Sequence, residues 1–296
     1  MKRTIRVLPK SGNATLLATL AALAAGVPLT ATAQSNSPWL PIPAGGSVSL
    51  SYVDQSGDAA YVMGGTLVPI VGITGGAATR YKRESLGLKV SYGLADMVSL
   101  DASIASGKAK VGKADNSSGL TDTVIGVNWR VLDEYEKRGL PTVTLRLVGI
   151  INGNYDGARL AALGKAASGY ELSVLVGKQI TPAFSVWGGL GVEDRSKGVP
   201  NATFFDLNAA YSPLPALSLS VGYSSKKYGG NLNIAGPGFT PAAFQRVNEQ
   251  RDTMRLGAAY AITGNQSVAL SLGKLVSGRN TVKDDRIIGL GYTFGF

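Results

Sequence analysis

The end of this chain constrains its fold most: Ile288, Leu290, Tyr292, Phe294 and Phe296 alternate with Gly289, Gly291, Thr293 and Gly295. A period of two places every large apolar side chain on one face of an extended strand and almost nothing on the other. The pattern recurs at Leu86, Leu88, Val90 and Tyr92, at Val98, Leu100, Ala102 and Ile104, at Ile125, Val127 and Trp129, and at Leu217, Leu219, Val221 and Tyr223. No sustained helical stripe interrupts it after residue 34, so the chain reads as all-β. Glycine fills many of the intervening positions, and 39 glycines against 16% charged residues is an unusual balance for a water-soluble domain.

Alternation alone would also suit a soluble sandwich, and the connections decide between the two. Five short or modest turns fall at residues 94–96, 133–141, 181–183, 213–216 and 263–265. Six longer polar or Gly-rich stretches fall between them at 55–80, 108–119, 153–168, 195–200, 229–249 and 277–281. Strict alternation of short and long connections is the layout of an antiparallel up-and-down transmembrane β-barrel, and this count predicts about 12 strands across 47–296. Segments such as 141–152 and 216–228 exceed the roughly 9 to 11 residues that a tilted strand needs to cross a bilayer. Tyr92, Trp129, Phe184, Tyr211, Tyr260 and Tyr292 all lie near the short turns or the terminus, as an aromatic girdle at one membrane interface would.

The first 33 residues read as a secretory signal peptide. Lys2, Arg3, Arg6 and Lys10 precede an apolar run over 14–25, too short to span a bilayer, and Ala31-Thr32-Ala33 offers a small-x-small cleavage site. Cleavage after Ala33 leaves 34–46, with Pro41 and Pro43, as a periplasmic lead-in. The formal charge of +10 shrinks accordingly, to 25 basic against 19 acidic residues, and nucleic acid is not an expected partner. The expected partners are outer-membrane lipid, the barrel-assembly machinery and a small-molecule solute. An exported chain without cysteine has no disulfides, so closure of the sheet on itself must hold it together.

Two resemblances add to this reading. The terminal row Ile288, Leu290, Tyr292, Phe294 and Phe296 resembles the signal that bacterial outer-membrane proteins present to the barrel-assembly machinery. Residues 119–131, reading Gly-Leu-Thr-Asp-Thr-Val-Ile-Gly-Val-Asn-Trp-Arg-Val, and the strand end Ser91-Tyr92-Gly93-Leu94 look like the outer-membrane transporters grouped as the phenol-degradation (MetA-pathway) family. That resemblance implies a barrel that passes small, often hydrophobic compounds; it carries over no substrate-contact residue.

With the apolar rows facing lipid, the opposite positions face a lumen. These are Lys89, Asp101, Arg130, Arg146, Glu171, Glu193, Asp206, Lys226, Arg251 and Arg255, a polar and slightly basic set. Counting outward from the turn at Ala95 sets Lys89 against Asp101. Counting from Pro182 sets Glu171 against Glu193 near the outer rim, where like charges need an Arg or a cation between them. A channel for hydrophobic or weakly anionic solutes follows, with a plugged structural or adhesive barrel as the alternative. The first long loop is unusually apolar at 59–63 and 67–71, and it either folds inward or extends above the membrane. The chain has no histidine or cysteine, which removes the usual relay of a hydrolase and most metal ligands, so no catalytic, metal or cofactor site is expected. The calcium-loop imitation beginning at Asn152 has Leu163 where a bidentate carboxylate is needed.

Overall fold

The computed structural model describes residues 37–137 and 139–296; the signal peptide and its cleavage site lie outside them. In chain order the strands are β1 (Gly46–Gly57), β2 (Ala59–Val62), β3 (Thr66–Pro69), β4 (Tyr81–Ala95), β5 (Val98–Val111), β6 (Asp115–Leu120), β7 (Thr123–Leu132) and β8 (Thr142–Ile151). They continue with β9 (Gly169–Thr181), β10 (Phe184–Arg195), β11 (Ala202–Leu214), β12 (Leu217–Tyr228), β13 (Gln250–Ala261), β14 (Gln266–Arg279), β15 (Thr281–Lys283) and β16 (Arg286–Gly295). A single helical turn, α1 (Ile70–Ile73), follows β3.

Twelve of these strands form a closed antiparallel barrel. β16 pairs with β14 on one side and with β1 on the other, through registers such as Leu50↔Tyr292, and β1 pairs onward with β4. Closure leaves no edge, so every wall amide finds a partner without water, which hydrocarbon requires. The short connections gather at the end where β1 starts and β16 stops, and the long ones gather at the other end. Leu88, Ile125, Leu147, Leu172, Leu207, Leu256 and Leu290 face outward and exposed around the whole wall. Tyr92, Trp129, Tyr211, Tyr260 and Tyr292 share that outer face near the short turns.

The long loops contain more structure than their composition predicts. β4, β5 and β14 run on for 14 or 15 residues and project past the band that a bilayer would cover. β5 pairs with β7 over its first half and with β6 over its second, so residues 108–119 form a hairpin extension of the wall. The first loop settles between its two alternatives by doing both. β2, β3 and β15 make a small separate sheet, while Ala60 and Ile70 sink into a cluster with Tyr81, Val111, Tyr155 and Leu163.

One expected pairing fails. The β4–β5 ladder is centred on Asp96, not Ala95, which sets Lys89 opposite Ser103 and Asp101 opposite Ser91, so Lys89 and Asp101 are diagonal neighbours. Moving the centre of a turn by one residue moves every partner by two, and counting from an assumed centre cannot see it.

Candidate functional site

The inner wall is built mostly of small residues, and a few long charged side chains project from it. Alternation assigns the inward positions: Ser99 and Asp101 on β5, Thr144 and Arg146 on β8, Glu171 and Ser173 on β9, and Glu193 and Arg195 on β10. All eight are buried from solvent. Charges in such a place must be paired or they would not stay charged.

Two connected networks provide the pairing. In the first, Arg146 bridges two carboxylates, with Nη2 2.8 Å from Asp101 Oδ2 and Nη1 3.1 Å from Glu171 Oε1. Asn128 Nδ2 donates to Asp101 Oδ1 at 2.6 Å. The second centres on Glu193, which lies directly opposite Glu171 across the β9–β10 pair. Its Oε1 accepts from Arg195 Nε at 2.7 Å and from the Tyr228 hydroxyl at 3.0 Å, and its Oε2 accepts from Lys226 Nζ at 2.7 Å. The two facing glutamates are therefore separated by cations that each recruits for itself. Among the described residues no cluster of carboxylates could hold a metal ion.

Between these networks and the loops lies a cavity of about 340 Å³. Of the charged positions read from the sequence, Lys89, Asp101, Arg146, Asp206, Lys226, Arg251 and Arg255 border it. Asp206 accepts from Asn208 at 2.8 Å and interacts electrostatically with Arg255. Glu171 and Glu193 sit behind their cations, outside the cavity lining. Arg130 lies elsewhere: its guanidinium is 3.1 Å from Asp133 and donates to the Asp96 carbonyl at 2.6 Å, at the short-turn rim. The terminal row Leu290, Tyr292, Phe294 and Phe296 lies exposed on the outer face of β16, with Ile288 half-buried beside it.

Sequence reasoning missed the residues that roof the cavity. The loop from 152 to 168 folds back across the long-loop mouth. Arg83 Nη2 donates to the Leu163 carbonyl at 2.6 Å, Tyr155 donates to Asp122 at 2.5 Å, and Arg195 Nη1 joins the same carboxylate at 2.5 Å. Lys165 reaches Glu249 on the next long loop but one, 2.6 Å away, with its ammonium over the Tyr228 ring. Arg251 in turn pairs with Asp284 and approaches Glu249. Arg251 alone belongs to the inward set read from the sequence; Arg83, Asp122 and Arg195 share a period-two inward face, and Tyr155, Lys165 and Glu249 lie in loops.

The roof carries a pH prediction. Burial pushes the Glu249 carboxyl up, but the Lys165 and Arg251 charges outweigh burial and hold it below the usual carboxylate range. A carboxylate depressed in the folded state stabilises above its unfolded value, about 4.3, and that contribution is lost as pH falls through the folded value. The roof should therefore loosen below about pH 4. Limited proteolysis within residues 152–168 should accelerate there for the wild type, whereas Glu249→Gln should already be susceptible at pH 7. Equal cleavage of both proteins at pH 7 would show that the pair does not hold the roof.

The sequence matches the profile of the family described as "Putative MetA-pathway of phenol degradation" over residues 53–289. No curated protein sequence matches it. Among solved structures, an outer membrane channel from Pseudomonas putida F1 is similar at TM-score 0.67 and 17% identity, covering 87% of this chain and 98% of that one. The translocator domain of the autotransporter NalP from Neisseria meningitidis is similar at TM-score 0.51 and 10% identity, covering 85% and 88%.

Proposed function

The chain belongs to the family described as "Putative MetA-pathway of phenol degradation", and from that premise we propose that it is a passive outer-membrane channel for small solutes that combine an apolar body with a weakly anionic group. One observation carries the proposal: nine Lys and Arg against four Asp and Glu border the mid-barrel cavity, interleaved with apolar groups such as Leu163, Phe204 and Val247. Rings of basic side chains bias a pore toward anions, and low-dielectric walls raise the local concentration of the favoured solute. On this reading the protein is exported with its signal removed near Ala33, is inserted by the barrel-assembly machinery, and performs no catalysis.

The test is single-channel conductance of refolded residues 34–296 across a KCl gradient. The reversal potential should report anion preference, and Lys89→Met with Arg255→Met should lower the anion-to-cation permeability ratio by about twofold or more. A cation preference in the wild type, or an unchanged ratio in the double variant, would sink the proposal.

The alternative is a plugged barrel that presents its extracellular loops to a partner. The roof described above favours it, because side chains from several loops meet over the cavity. A verified barrel that passes no current under any condition would be that protein.

A further inference from the structure

The segment upstream of β1 enters the lumen. Ala44 donates to the Gly93 carbonyl at 2.9 Å, Gly93 donates to the Gly45 carbonyl at 2.9 Å, and Pro43 forms a parallel bridge with Gly93. From that anchor beside β1 and β4 the chain crosses to the far wall. Thr144 of β8 donates to the Pro38 carbonyl at 2.7 Å, and Trp39 Nε1 donates to Glu134 Oε1 at 2.9 Å. The Trp39 ring meets Trp187 of β10 edge to face, with centroids 5.9 Å apart. Counting β1 as the first of the twelve, β8, β9 and β10 are the fifth, sixth and seventh strands in barrel order, so the segment spans the short-turn mouth from one wall to the opposite one.

The local chemistry suits a strap. Pro38, Pro41 and Pro43 stiffen an extended chain and remove amide donors that the lumen would otherwise have to satisfy. Both ends rest on glycines that admit no side chain. A Cβ at Gly93 would lie 2.2 Å from the Ile42 carbonyl oxygen, and one at Gly177 would lie 2.6 Å from Pro38 Cγ and 3.0 Å from the Trp39 ring. Trp187, 4% exposed and inward on a wall otherwise built of small residues, borders the cavity from below.

We infer that residues 37–45 are the constriction of the pore, and that Trp39, set edge to face against Trp187, decides which solutes leave the cavity toward the periplasm. The inference rests on the channel reading above. An indole pair passes flat, apolar or aromatic solutes more readily than bulky hydrated ones, so the basic cavity above selects charge and the strap below selects shape. Among the described residues the strap is tied to the far wall by two side-chain hydrogen bonds and one ring contact, few enough to release.

The experiment uses refolded residues 34–296 in planar bilayers, with barrel integrity checked by heat-modifiable gel mobility. Trp39→Ala should raise KCl conductance severalfold and shift the exclusion limit for added polyethylene glycols to larger sizes. The chain has no cysteine, so Pro38→Cys with Thr144→Cys, whose side chain already reaches Pro38, gives a clean lock. Oxidation should form the disulfide in the folded barrel and hold conductance low, and reduction should restore it. Failure of the disulfide to form in an intact barrel overturns the placement of the strap. Equal conductance and equal polymer cut-off in Trp39→Ala and wild type, or in the oxidised and reduced pair, overturn its role as the constriction while leaving the channel reading intact. No current from wild type and Trp39→Ala alike overturns both.

Discussion

Glu193→Ala should lower the unfolding free energy of the barrel by about 3–5 kcal/mol, the usual cost of removing one partner from a buried ion network. Glu193 is 1% exposed, and it accepts from Arg195, Lys226 and Tyr228 at 2.7, 2.7 and 3.0 Å. Its loss leaves two cations and a hydroxyl facing a protein wall instead of a carboxylate. Arg195 would keep Asp122, but Lys226 would be left with Glu171, which Arg146 already holds. Urea titration of the refolded protein in lipid, read by tryptophan emission, measures the shift. A loss below about 0.5 kcal/mol, the scatter of ordinary surface substitutions, would mean that water or rearranged neighbours replace the carboxylate and that the network does not stiffen the wall.

The second large effect concerns the opposite face. Leu207→Arg should destabilise the inserted barrel by about 2–4 kcal/mol, the penalty for a basic side chain on the lipid face near the bilayer midplane. Leu207 lies near the middle of β11, points outward, and is 62% exposed in the absence of lipid. Its neighbour Asn208 points inward onto the cavity, where a charged substitution meets polar walls instead of hydrocarbon. Asn208→Lys, beside the Asp206 carboxylate, should therefore leave insertion intact. The pair of variants tests the assignment of faces one residue apart: equal losses, or a larger loss at 208, would reverse inside and outside for the whole strand. Reversible folding into vesicles of varied chain length measures both.

These effects depend on features that differ in how plainly the sequence announces them. Leu207 and Leu290 were assignable to the outer face because a strand's side chains alternate whatever the rest of the fold does. Glu171 and Glu193 could be paired by counting from Pro182, because the ladder beyond the irregularity at Phe184–Ser185 is centred on that residue. The same arithmetic misplaced Lys89 and Asp101, because the β4–β5 ladder is centred one residue further on, at Asp96. The cations that reconcile the two glutamates were visible as residues, yet Arg146 and Lys226 come from different strands on either side of the pair, and nothing local joins them.

The sequence by itself determined the barrel: a two-residue period, alternating connection lengths and an apolar terminal strand are local properties, and closure follows from the demand that every amide in hydrocarbon be paired. Only the tertiary structure decided what fills the barrel. Lys165 meets Glu249, and Trp39 meets Glu134 and Trp187, across separations of 84, 95 and 148 residues. Such contacts carry no periodic signature. They form because loops and a proline-rich end fold back into a space whose size and polarity exist only once twelve strands have closed around it.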